Sequence, residues 1–541
     1  MNDRGINEVP AAELLTRDHT LHGSVLYGLD GRVIELQARA VGVLDEPMPW
    51  RSKGVVKIVG MAHGAINEAL DRIAGALSKL GMTETPVQVL INLAPADLPK
   101  DGTWLDLPLA VIMLQAAGKL PDLPAEYEQR YVLVGELGLH GEIRRVPGVL
   151  SMASGAGSDR TLIVPKGNER ECALVTADPT RQGCRVCSVE TLAEVLEFFR
   201  GEKKLASVLN QELAFEPVIG KGVDFGRIKG QERAKQAALI SAAGGHNLLL
   251  IGPPGEGKSL LASAMPGILP RLSAAEKVEL TRIYSACGQL ERDGMCVTRR
   301  PMRPVHHTAS KQAIVGGGSG TPTPGEVTLA HLGVLFLDEL AEFARPTLET
   351  LRQPIENGEV TISRVDGTLT FPCRFTLMAA MNPCPCGYYG TPQCRCKTSE
   401  VKAYQGKISG PILDRIDLQV ELSRLTTEER FAESGEEQNP KLRALVEAAR
   451  ERQQKRFEGK GIPHNAAIPG GHVRDYCNFS TPGFEHFKKT IDASTLTTRS
   501  MDRLAKVSRT VADLAQSEMV EPEHLETAAS FVVGGMLREG A

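Results

Sequence analysis

A chain of 541 residues is too long for one hydrophobic core, and three or four domains are expected. Its 42% hydrophobic and 24% charged residues are ordinary for a globular protein, and no apolar run reaches the roughly 18–20 residues that a bilayer span requires. A net charge of −4 excludes a surface coated in basic residues, though not lysines and arginines gathered on the inner face of a ring.

The first residues, MNDRGINEVPAAEL, mix charges and lack an apolar stretch, so they do not form a secretory signal and a cytoplasmic location is expected. There the eleven cysteines are not expected to pair as disulfides. Residues 21–200 alternate short Val/Ile/Leu runs (VVKIVGM, VQVLINLAP, YVLVGELGL) with helical patterns such as NEALDRIAGALSKLG, which predicts a mixed α/β domain. LPLAVIMLQAAGKL is short enough to be a buried helix. A charged, Gly-rich stretch over 201–225 predicts a linker. Residues 226–425 form a second α/β block, and from 426 to 541 the strand signals give way to helical spacing.

The second block carries LLLIGPPGEGKSLLASAM, in which Gly252, Pro253, Pro254, Gly255, Glu256, Gly257, Lys258 and Ser259 make a GxxxxGK[ST] loop between an apolar strand and a helix. Backbone N–H groups of such a loop close around phosphates, with the helix N-terminus adding a favourable dipole. Lys258 then charges the β and γ phosphates of ATP, and the Ser259 hydroxyl is a Mg²⁺ ligand. GVLFLDEL supplies a buried strand ending in Asp338, for Mg²⁺, and Glu339, for polarising the attacking water. FTLMAAMN ends at Asn382, which either senses the γ phosphate and the lytic water or caps a turn before Pro383.

ISGPILDRIDLQVEL offers Arg415, either an arginine finger reaching the next subunit's ATP or a surface residue paired with Asp414 and Asp417. Arg364, in ENGEVTISRVDGTLTFPCRF, either touches phosphates of a nucleic acid or pairs with Asp366 or Glu359. RPMRPVHHTASK adds Arg300, Arg303, His306, His307 and Lys311, a basic cluster that is either a second pore-facing element or a solvated loop.

With GVDFGRIKGQERAKQAALISAAGGHNLLLIGPPGEGKS, GGGSGTPTPGEVTLAHLGVLFLDELAEF, LRQPIENGEVTISR, AAMNPCPCG and SGPILDRIDL, nearly the whole chain resembles the ComM/YifB family of magnesium-chelatase-like AAA+ ATPases. The resemblance implies a homo-hexamer using ATP and Mg²⁺ and acting on single-stranded or branched DNA, as in branch migration during natural transformation or recombination. It also implies that ENGEVTISRVDGTLTFPCRF is a β-hairpin projecting into the ring's pore. In LTTRSMDRLAKVSRTVADLA, similar to the family's helical lid, it implies that Arg499 is a second sensor, with Arg503 the other candidate. Residues 21–200 resemble the proteolytic domain of Lon, but Thr103, Trp104, Leu105 and Asp106 stand where Lon carries its nucleophile, and VPGVLSMASG lacks the lysine. No Ser-Lys dyad can be assembled, so a scaffold is expected rather than a protease. Two other functions stay open: a chelatase-type motor remodelling a protein partner, and an ATP-dependent peptidase.

Behind Asn382, Cys384, Cys386, Cys394 and Cys396 follow a C-x-C, seven-residue, C-x-C spacing. Four thiolates suit zinc's tetrahedral preference, although zinc pairs usually run C-x₂₋₄-C. Free thiols are the alternative. Cys184 and Cys187, with Cys172 near them in sequence, read as structural or free thiols.

Overall fold

The computed structural model describes residues 10–60, 63–100, 102–176, 184–207, 222–290, 296–318, 322–364, 367–431, 435–494 and 496–533. Much of the expected linker, residues 208–221, lies outside them.

Seven strands build the N-terminal sheet: β1 (Asp18–Tyr27), β2 (Asp30–Pro49), β3 (Val56–Val59), β4 (Glu84–Ala94), β5 (Tyr131–Leu133), β6 (Thr161–Pro165) and β7 (Arg185–Val189), in the order β3-β4-β2-β1-β5-β6-β7. β1 pairs antiparallel with β2 and β2 with β4, while the pairings of β5, β6 and β7 are parallel. Along β4 the side chains alternate, and Val87, Val89, Ile91 and Leu93 point into the core. The apolar stretch LPLAVIMLQA belongs to α1 (Asp106–Ala116), whose eleven residues are all buried, so its hydrophobicity serves the core. No helix among the described residues is long and apolar enough to cross a membrane.

The second sheet is wholly parallel: β8 (Leu248–Ile251), β9 (Met302–Val305), β10 (Val334–Leu337), a hairpin of β11 (Glu359–Arg364) and β12 (Gly367–Pro372) set apart from it, then β13 (Thr376–Met381) and β14 (Leu418–Glu421), ordered β9-β10-β13-β8-β14. β8, β10 and most of β13 are buried along their length, which is why they read as continuous apolar runs. The order puts the end of β13 between the ends of β10 and β8, where open α/β sheets bind ligands.

Three helices, α2 (Val149–Gly155), α3 (Glu232–Gly244) and α4 (Lys258–Ala264), are followed by α5 (Ala274–Ala286), which carries the N-terminal domain. The Gly148 N–H donates to the Ser285 carbonyl and hydroxyl at 3.0 and 3.1 Å, and Arg282 holds Asp30 and the Leu29 carbonyl at 3.0 Å each. The Ser285 hydroxyl in turn donates to buried Glu171.

Beyond α6 (Thr398–Gln405), the C-terminal helices include α7 (Asn439–Arg456), α8 (Thr498–Leu514) and α9 (Pro522–Val532). They share one core with the sheet: Val446, Ala449, Leu504, Val507 and Phe531 pack in the same cluster as Leu248, Leu250 and Ala237. Their hydrophobic stripes are thus buried against α3 and the sheet, with a small satellite core around Phe457 and Cys477.

Candidate nucleotide site and its neighbours

β8 ends at Ile251, and the loop that follows passes through Gly255 and Gly257 with φ of +82° and +90°. Only glycine takes this backbone without strain, and no atom lies within 4 Å of where a Cβ would stand at either residue. A phosphate therefore meets bare backbone. Lys258 opens α4 with its side chain 9% exposed, its ammonium donating to the carbonyls of Gly252 (2.6 Å) and Pro253 (2.9 Å) and to Asn382 Oδ1 (3.0 Å). Burial pulls its pKa down, while Asp338, Glu256 and Glu339 pull the other way. The loop lysine and the polar end of β13 thus act as one unit.

Ser259 Oγ donates to Asp338 Oδ2 at 2.9 Å, and the Glu339 N–H donates to Asp338 Oδ1 at 2.9 Å. A hydroxyl and a carboxylate side by side form the hard oxygen donor pair that Mg²⁺ prefers, so these residues fit the ion. Glu339 itself has φ +53°, a left-handed backbone that is uncommon outside glycine, and its side chain is half exposed. Its carboxylate lies 2.9 Å from His307 Nδ1. The sheet register explains the meeting: Val305 of β9 pairs with Leu337 of β10, so the two residues after each strand become neighbours. His306 lies against His307 with ring centroids 4.0 Å apart. Reading RPVHHTAS as a basic loop missed this, although a polar residue just past a strand parallel to the Asp-Glu strand was the available signal.

The buried Glu256 carboxylate accepts from the Leu425 N–H (3.2 Å) and pairs with Arg430 (3.1 Å), so the side chain ties the loop to the segment after β14. Buried Gln231, also missed, has φ +57° and donates to the Ser423 carbonyl at 2.7 Å, fastening the entry to α3 onto the same segment.

The arginines fall elsewhere. Arg415 follows a short helix, Gly410–Leu413, and its guanidinium bonds the Pro411 carbonyl (2.6 Å) and lies 2.6 Å from Glu356. Neither flanking carboxylate holds it, contrary to the sequence alternative: Asp417 is engaged by His246 at 3.2 Å, and Asp414 lies 3.7 Å from Arg499. Arg415 in turn holds the Glu356 carboxyl below the usual range. Arg499 is 63% exposed on α8. Arg503, one turn on, is 6% exposed and spends its donors on the carbonyls of Leu413 (3.2 Å) and Ile416 (2.9 Å) and on Ser500 Oγ (2.7 Å). Arg503 is thus a brace beneath Arg415, and Arg499 is the exposed one of the two. Among the described residues no hydrogen bond or ion pair joins Arg415 or Arg499 to the Lys258 pocket.

The basic cluster needs correction. Arg300 is held by Glu276 at 2.9 Å and by the carbonyls of Pro270 and Leu332, and Arg303 makes a bidentate pair with Glu326 at 2.6 and 2.8 Å. Both are internal struts, which leaves Lys311 and His306 exposed and His307 on Glu339. The β11–β12 hairpin forms as expected, with Val360 opposite Phe371 and Ile362 opposite Leu369. It leans on the β1–β2 turn, where Leu369 packs over Gly28. Arg364 is exposed at the end of β11 away from Glu359, and Asp366 lies outside the described residues. Cys172, Cys184 and Cys187 are buried free thiols of the N-terminal core.

Past Asn382, the four clustered cysteines do meet: all four sulfurs lie within 4.8 Å of one another, with Cys384–Cys386, Cys384–Cys394 and Cys386–Cys394 separations of 3.3, 3.9 and 3.8 Å.

A parallel sheet carrying a phosphate loop, an Asp-Glu strand end and an intervening polar strand end is the arrangement of an AAA+ type protein. Models described as "Magnesium chelatase, subunit ChlI", "Subunit ChlI of Mg-chelatase" and "Magnesium chelatase, subunit ChlI C-terminal" match residues 224–430, 50–168 and 436–531. The chain is 40% identical over 485 residues to YifB of Escherichia coli, covering 89% of this chain and 92% of that one. To the competence protein ComM of Haemophilus influenzae it is 38% identical over 481 residues, covering 88% and 91%. A 38 kDa magnesium-chelatase subunit of Cereibacter sphaeroides is 25% identical over 217 residues, 37% of this chain and 59% of that one. The chain belongs to the ComM/YifB family of magnesium-chelatase-like proteins.

Proposed function

We propose that this protein is a hexameric ATPase that turns ATP hydrolysis into movement along DNA, as a ComM-like branch-migration motor. The observation that carries the reading is the meeting of Lys258, Ser259, Asp338, Glu339 and Asn382 at the carboxyl ends of three adjacent strands. Lys258 neutralises the β and γ phosphates, and Ser259 with Asp338 holds Mg²⁺, which when bound supplies charge neutralisation to the phosphates. Glu339 takes the proton of the attacking water, and Asn382 orients that water from beside Lys258. Among the described residues Arg415 and Arg499 have no bond to this pocket, which supports their supply to a neighbouring subunit.

The division of labour follows the units near 21–200, 226–425 and 426–541: scaffold, motor, and helical lid. The Lon-like domain acts as a scaffold. Trp104 is bonded to the Pro147 carbonyl, and buried Lys100 donates to the carbonyls of Pro95 and Leu98, so neither supplies an activated nucleophile or base. The DNA substrate rests on the likeness to a competence protein. ATP turnover measured with single-stranded DNA, branched DNA and casein tests it. DNA should stimulate turnover; stimulation by protein alone favours the remodelling motor, and cleavage of casein favours the peptidase.

A further inference from the structure

We propose that Cys384, Cys386, Cys394 and Cys396 bind one zinc ion, and that this ion braces the phosphate loop from the side of Asn382. A zinc tetrathiolate with Zn–S distances of about 2.3 Å has S···S edges of about 3.8 Å; three of the sulfur pairs stand 3.3, 3.9 and 3.8 Å apart, and all four sulfurs lie within 4.8 Å of one another. These separations are far beyond a disulfide bond of about 2.0 Å. Binding converts four thiols to thiolates and releases four protons, leaving a complex of charge −2. Four protein ligands leave no open position, so the ion is structural.

A second observation shows why the segment needs a staple. Between β13 and α6 the chain has no helix or strand, and none of residues 388–397 is buried. Apolar packing cannot hold such a stretch in one shape. Yet it is shaped, and it touches the nucleotide site. Gly387, at φ +86°, approaches so closely that a Cβ there would lie 2.7 Å from Pro254 Cδ of the phosphate loop and 3.9 Å from Asn382 Cγ. Its N–H is bonded to the Cys384 carbonyl at 2.9 Å, and Gln405 fixes the Pro383 carbonyl at 2.9 Å. The turn that the cysteines close is thus wedged between the loop that takes phosphate and the asparagine that reads it.

The bracing half of the proposal rests on the nucleotide reading above; the zinc half does not. The experiment measures zinc in the purified full-length protein by mass spectrometry, and the affinity of a fluorescent ATP analogue in parallel. About one zinc per chain is expected, and none after growth with ample zinc overturns the site. The C394S/C396S variant should lose the ion and bind the analogue about tenfold more weakly, while Gly387→Val should keep the ion and show a similar loss. Unchanged affinity in both overturns the bracing. Should the double variant fail to fold, the wild type is stripped with a chelator and reloaded with Co²⁺. Thiolate-to-cobalt absorption with recovered analogue affinity is the expected result, and its absence overturns the site. A wild type that holds zinc but binds no analogue contradicts the nucleotide reading alone.

Discussion

Lys258 shows how a single residue joins three parts of the site, since its ammonium is shared by the loop carbonyls and Asn382. Replacing it by alanine removes charge-assisted hydrogen bonds worth about 1.5–3 kcal/mol, so nucleotide affinity should drop roughly ten- to hundredfold in a binding titration. Glu339→Gln keeps the shape and removes the base; it should bind ATP normally and turn it over roughly 10²-fold or more slowly. Unaltered turnover would remove Glu339 from the chemistry. His307 lies 2.9 Å from that carboxylate, and on the proposed reading it positions Glu339. For His307→Ala, a kcat about tenfold lower with KM within about twofold is expected from steady-state kinetics. A change in KM alone would mean that His307 serves binding instead.

At the scale of elements, the strands were easier to read than the loops between them. VLFL and LLLI are apolar throughout because both faces of a parallel strand are buried, and that pattern survives in the sequence without any knowledge of neighbours. The partners of charged side chains do not. Arg300 and Arg303 looked like a basic surface because Glu276 and Glu326, which neutralise them, stand more than twenty residues away. Glu356, 59 residues before Arg415, was equally invisible beside the adjacent Asp414 and Asp417. Helix α8 separates two arginines one turn apart by burial, so they should fail differently. Arg503→Ala removes the buried guanidinium and its three hydrogen bonds to the Leu413 and Ile416 carbonyls and Ser500 Oγ, and should cost about 2–4 kcal/mol in denaturant unfolding. Arg499→Ala should leave stability within about 0.5 kcal/mol of wild type while lowering turnover. Equal destabilisation by both would refute the division.

For the whole molecule, acid should be destabilising. His19, His331 and His524 are buried and His464 is half-buried, and desolvation holds each below its ordinary value of 6.5. The native state refuses protons that the unfolded chain accepts, so stability present above about pH 6.5 is lost as the pH falls through it. Asp106 opposes this: burial raises its pKa from 3.8 to about 6 against its pairing with Arg72, and its protonation favours the native state. Four such histidines against Asp106, with Glu128 and Glu171 also raised by burial, should lower the melting temperature by several degrees between about pH 7.5 and 5.5, read by differential scanning fluorimetry; a flat or rising profile would contradict the balance. On the proposed reading one chain does not complete the set of cations around ATP, since among the described residues neither Arg415, 14% exposed and held by Glu356, nor Arg499, 63% exposed, has a bond to the Lys258 pocket. Specific ATPase activity measured against subunit concentration, with the assembly state weighed in the same samples, tests this most directly. Activity per subunit should be nearly nil where the chain is monomeric and rise with the hexamer; a monomer turning over ATP at the full rate would contradict it.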